Sequence, residues 1–179
     1  MTAPTSPGSG SAPSTSTSPA GSAARGLSDA TVAAWQAALG AEHAAVFGYG
    51  VLGPHLSAAQ AAVARIDEAA HRARRDATSA AMAAVGLDPA PSAANYPSPA
   101  VASAASASRL ALQLEDDAAA AWRYLIAVAA AEHSDPGGPG PAAALRATAV
   151  TALSDSAVRG VHWRELLTPR RPTEAFPGI

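Results

Sequence analysis

Apolar residues in this chain recur at helical spacing in four long segments, separated by clusters of Pro and Gly. The first segment starts after Leu27-Ser28-Asp29, where Ser28 can cap a helix and Leu27 can staple onto Val32. It runs to about Val51 and is ended by Gly50, Gly53 and Pro54. Trp35, Leu39, Glu42, Val46 and Tyr49 fall on one side of it, so Glu42 is expected to point inward. His43 is placed at a helix boundary.

After the short turn Gly53-Pro54-His55-Leu56, Ser57 and Gln60 form a capping box for a second, antiparallel helix, which Gly86 closes. Two stripes compete for its buried face. Val63, Ile66, Ala70, Ala77, Ala81 and Val85 make one; Glu68, His71, Arg75 and Met82 make the other. Ala contributes too little amphipathicity to choose between them.

The connection from about Leu87 to Ala100 is Pro-rich and long. Fourteen residues reach up to ~46 Å, while a helix of 24 residues is ~36 Å long. The loop can therefore cross the whole bundle and start the third helix parallel to the second. That helix begins between Pro99 and Ser106 and ends near His133, with Ala111, Glu115, Ala118, Trp122 and Ile126 on one side. A Gly/Pro turn leads through Pro141 into a fourth helix reaching about Leu167. Leu145, Ala149, Ala152, Ser156 and Trp163 share one of its sides; Thr148, Asp155, Arg159, His162 and Leu166 lie beside them. The tail from Thr168, ending Phe176-Pro177-Gly178-Ile179, is apolar enough to pack back. The expectation is an all-α four-helix bundle over residues 27–179. Residues 1–26, rich in Ser, Thr, Pro, Gly and Ala, are expected to form a disordered lead rather than a signal peptide.

Composition narrows the function classes. Aromatics are only 4% of the 179 residues, so an Ala-rich core must rest on a few large side chains: Trp35, Phe47, Tyr49, Trp122, Tyr124 and Trp163. The absence of Cys excludes disulfides, thiolate metal sites and a Cys nucleophile. A formal net charge of −2 gives no basic field for nucleic acid, and no apolar run is long enough for a membrane span. Phosphate loops, hydrolase triads and Cys/His zinc motifs are lacking. A cytoplasmic protein is expected, with a homo-oligomer among the open assemblies and its partner unspecified.

The chemistry concentrates in the bundle interior. Glu42, the pair Glu68-x-x-His71, and Glu115 follow in chain order the pattern by which helices present carboxylates and His to a pair of metal ions. His162 stands where the second Glu-x-x-His would end, but Arg159 occupies the position three before it. A guanidinium cannot ligate a metal and repels one placed beside it. It can pair bidentately with the acids instead. A buried Arg–Glu–His cluster without cofactor is therefore expected, with Arg159 and Arg75 as its cations. The alternatives are a residual iron or manganese site, or a complete two-metal site, on Glu42, Glu68, His71, Glu115 and His162.

Ala41-Glu42-His43-Ala44-Ala45, Tyr49-Gly50, Ala70-His71-Arg72-Ala73-Arg74-Arg75-Asp76, Leu114-Glu115-Asp116 and Ala175-Phe176-Pro177-Gly178 together resemble an actinobacterial ferritin-like domain family of unknown function. The likeness covers about residues 29–179. It implies a ferritin-like four-helix bundle and no established activity. Glu42, Glu68, His71 and Glu115 fall on the wider group's ligand pattern and Arg159 departs from it, which speaks against ferroxidase or oxygenase chemistry. Two classes follow: a non-catalytic bundle that kept the fold, such as an interaction or stress-related module, and a metal-dependent redox protein.

Overall fold

A computed structural model describes residues 26–132, 140–168, 172–173 and 175–178. Of the lead 1–26, residues 1–25 lie outside the described residues, as does His133. Helices α1 (Asp29–Leu52), α2 (Ala58–Ala84), α3 (Ala104–Ala130) and α4 (Pro141–Leu167) carry the fold. A 3-10 turn, Gly53–His55, joins the first two. No strand occurs among the described residues, and no helix there is long and apolar enough to cross a membrane.

Local chemistry sets the helix ends. Ser28 accepts from the Thr31 amide and caps α1. Glu132, just past α3, accepts from the Ser28 amide, the Ser28 hydroxyl and the Thr31 hydroxyl. A carboxylate thus sits at the positive end of the α1 dipole. Ser57 and Gln60 close the capping box on α2, and Ser103 rather than Pro99 starts α3, through its own box with Ser106. At the end of α2, Gly86 donates to the Ala83 carbonyl and Leu87 to that of Met82, the two bonds of a Schellman turn. That turn needs Gly86 at φ 81°.

The connection after α2 tracks α1. The Gln36 amide acts as a backbone surrogate, donating to the Asp88 carbonyl at 2.7 Å and accepting from the Ala90 amide at 2.9 Å. His43 Nε2 donates to the Ala90 carbonyl, and Phe47 packs on Tyr96 with ring centroids 5.5 Å apart. The chain therefore reaches α3 at the far end of α1. One core cluster joins Trp35 and Leu39 of α1, Met82 of α2, Trp122 and Leu125 of α3, and Leu145 of α4. The other joins Tyr49 and Leu52, Ala64, Leu110 and Leu114, and Trp163. Trp35 and Trp122 thus lie at the same end, α3 runs against α1, and α2 and α3 run the same way. Gly48 lets α1 and α3 approach closely: a Cβ there would stand 2.5 Å from Leu114 Cδ1.

The buried row of α2 is Ala64, Asp67, His71, Thr78 and Met82. Of the first stripe, Ile66 is 69% exposed. Of the second, His71 and Met82 go inward while Glu68 and Arg75 stay at the margin. The tail is held through its backbone, Arg164 donating to the Pro172 carbonyl and Arg123 to that of Gly178, while Phe176 remains exposed.

Gly86→Ala tests the α2 stop. A Cβ in the left-handed region costs about 1–2 kcal/mol. The urea midpoint should fall with the m-value unchanged.

Candidate buried polar network

Between the two apolar clusters lies a layer of polar side chains that share hydrogen bonds. His71 is at its centre and is fully buried. Its Nδ1 is 2.7 Å from Glu42 Oε2, and its Nε2 is 3.0 Å from Glu115 Oε1. With Glu42 and Glu115 ionised their oxygens only accept, so a proton on each ring nitrogen satisfies both bonds, and Arg159 Nη2 also lies 3.4 Å from Nε2. In that state His71 is an imidazolium.

Titration behaviour follows. Burial, the largest single influence, disfavours the His71 cation, but the hydrogen bonds and charges of Glu115 and Glu42 outweigh it and lift the pKa from 6.5 to about 9. Glu115 is fully buried yet held below the usual carboxylate range. Burial pushes it up, and His71 and then Arg159 more than reverse that. Its Oε1 accepts from the Tyr49 hydroxyl at 2.7 Å as well as from His71 and Arg159. Arg159 Nε reaches Glu115 Oε1 at 3.0 Å and Oε2 at 3.1 Å, and its Nη2 donates to Ser156 Oγ at 3.0 Å. Burial works against the Arg159 cation, but the Glu115 charge beside it raises the pKa further.

The network is anchored at both ends by indoles. Trp122 Nε1 donates to Glu42 Oε1 at 2.6 Å. Trp163 Nε1 is shared between the Tyr49 hydroxyl and Asp67 Oδ2, each at 3.0 Å. Burial and then the Glu115 charge push Asp67 up, towards keeping a proton. The same two influences, in the same order, raise Tyr49 well above the usual tyrosine value.

Of the residues singled out in the sequence, Glu42, His71, Glu115 and Arg159 are brought together. Glu68 is not. Its carboxylate pairs with Arg72 one turn on, at the surface, because one residue of helix turns a side chain by about 100° and the buried row runs through Asp67. Arg75 turns aside to Asp76. His162 bonds to none of these side chains: its Nε2 is buried without a partner among the described residues, and its ring meets Trp163 edge-on. Asp116, next to Glu115 on α3, pairs with Arg164 at 2.8 Å. The sequence did not single out Asp67, and it placed Tyr49, Ser156, Trp122 and Trp163 on inward faces without assigning their polar atoms a role. Two signals could have found them: Asp67 and His71 are four apart on one helix face, and a buried indole requires an acceptor. Among the described residues, no three His, Asp or Glu side chains are placed to hold a metal ion.

The raised pKa of His71 ties stability to pH. Its contribution is complete below 6.5 and lost as pH rises through about 9, corresponding to roughly 3 kcal/mol. Denaturant titrations should show stability declining from pH 7 to 9.5, and His71→Gln should remove that slope. Arg159→Met should cost on the order of 3–5 kcal/mol, because Glu115 would lose its second cation while remaining buried. Chemical denaturation at pH 7 measures it.

Comparison with known proteins agrees with the helical architecture. A conserved hypothetical protein of Mycobacterium tuberculosis, Rv2844, has a crystal structure that superposes with a TM-score of 0.67 at 33% identity, covering 78% of this chain and 98% of that one. No curated protein matches the chain. A family described as Domain of unknown function (DUF4439) matches residues 34–179. On that match and that relative, the chain belongs to the DUF4439 family.

Proposed function

We propose that this is a ferritin-like four-helix bundle whose carboxylate metal centre has been replaced by a salt-linked network, and that it serves as a non-catalytic protein. One observation carries the reading: the ligand-type side chains are already committed to one another. Both nitrogens of His71 engage carboxylates, and the Arg159 guanidinium lies against both oxygens of Glu115. A dication among them would have to displace two ring protons and a fixed positive charge. Glu68 and His162, which the ligand pattern requires, point elsewhere. The residues present do not fit a pair of ions.

The alternative is a redox protein with one iron or manganese on Glu42, His71 and Glu115. Its support is the convergence of those three buried ligand types in one layer. It needs Arg159 to swing away towards solvent, and that side chain is 14% exposed.

Elemental analysis of protein purified without chelator separates the two. Iron and manganese far below one equivalent per chain support the network reading; a full equivalent that survives dialysis overturns it. Arg159→Glu provides the converse. A further acid beside Glu115 should lower the melting temperature in metal-free buffer. Ferrous or manganous ions should restore it, because binding to the folded state stabilises that state.

A further inference from the structure

Three sides of the bundle are closely packed: α1 on α2, α1 on α3, and α3 on α4. The fourth side, between α2 and α4, is bridged by side chains instead. Arg74 pairs there with Asp155, and Trp163 with Asp67. Beside the Arg74–Asp155 bridge the helices leave a cleft of about 430 Å³. Ala70, Ala73, Ala77 and Ala81 of α2 form one wall, Leu145 and Thr148 of α4 the other, and Trp35 contributes from α1. This explains the α2 stripe that competes with the buried row. Its small apolar side chains face a slot rather than the core.

Two polar features make the slot more than an apolar groove. Thr78 lines it and is 5% exposed, yet its hydroxyl has no hydrogen bond among the described residues. It is also not a sealed orphan like the unpaired nitrogens of His43 and His162, so the hydroxyl opens onto the cleft. Arg74 lies one turn away on the same face, and its pairing with Asp155 uses only one of its nitrogens. A guanidinium has five N–H donors, so it can hold a second carboxylate without releasing the first. The volume lies in the range of small-ligand sites, roughly 300–1,000 Å³.

We propose that the α2–α4 cleft binds a linear amphiphile with an anionic head, of the fatty carboxylate class. The head lies between the Arg74 guanidinium and the Thr78 hydroxyl, and the alkyl chain runs along the alanines against Trp35 and Leu145. The α2 wall is Ala at four positions, each about one turn from the next, which leaves room for an unbranched chain along the helix. The arrangement is independent of the buried network around His71.

Isothermal titration of the full chain with octanoate, nonanoate and decanoate, below their micellar concentrations, tests this. One-to-one binding should tighten about threefold to fourfold per added methylene. Decyltrimethylammonium, of the same length and opposite charge, should bind at least tenfold more weakly. Ala77→Leu places bulk in the slot from a solvent-exposed position and should abolish decanoate binding with the melting temperature preserved. Arg74→Gln should weaken it about tenfold, and Thr78→Val, which keeps the shape, should weaken it by a smaller factor. No saturable binding of decanoate would overturn the assignment. So would equal affinity for the cationic amphiphile, or binding untouched by Ala77→Leu. Sedimentation with phosphatidylglycerol vesicles in the absence of decanoate binding would assign the face to a lipid surface instead and would likewise overturn it.

Discussion

An imidazolium clamped between two carboxylates, each presented by a different helix, governs the middle of this bundle. His71 comes from α2, Glu42 from α1 and Glu115 from α3, and Arg159 brings in α4. Each partner alone would be a liability in an apolar interior, since an unpaired buried charge costs several kcal/mol. Together they are mutually obligatory. Sliding any helix by one turn would leave a charge without its partner, so the network fixes the vertical register of all four. The apolar clusters above and below cannot do this as sharply, because one Ala replaces another at little cost.

The same division explains how a core so poor in large side chains stays specific. Alanine and glycine allow close approach of the helices, as at Gly48 against Leu114, but supply little apolar area and almost no shape. Shape comes from Trp35, Trp122, Tyr49 and Trp163, and three of these four end in a polar atom bonded within the network. Aromatic packing and charge pairing are therefore one structure. The rings cannot shift without disturbing the carboxylates they donate to.

Much of this was legible in the sequence where a residue type has only one good use. Ser28, Ser57 and Gly86 mark helix ends because capping and left-handed turns favour few residues. Trp35, Leu39, Glu42 and Tyr49 mark a buried face because large side chains define a direction. The face of α2 was not legible in this way, since alanines surround the helix and two stripes of similar character compete. That ambiguity is why Glu68 looked like a ligand where Asp67 is the residue turned inward. Glu68 completed a familiar spacing with His71, but spacing does not fix the phase of a helix. Packing does, through Ala64, Thr78 and Met82. Arg159 was readable because a guanidinium so close to buried acids has little choice of partner. Arg75 was not, because its neighbour Asp76 engages it, and His162 was not, because its ring packs edge-on against Trp163 and its Nε2 meets no partner among the described residues.

The indole bonds at either end of the network have an optical consequence. Trp122 donates to Glu42, and Trp163 divides its proton between Tyr49 and Asp67, so each excited state sits directly against a titratable oxygen. Trp35 makes no such bond among the described residues and stands in the apolar cluster. The protein thus contains two intrinsic fluorophores that sense the electrostatic state of its interior from opposite sides, and a third that serves as a reference. Removing one tryptophan at a time would resolve their signals without attaching any label.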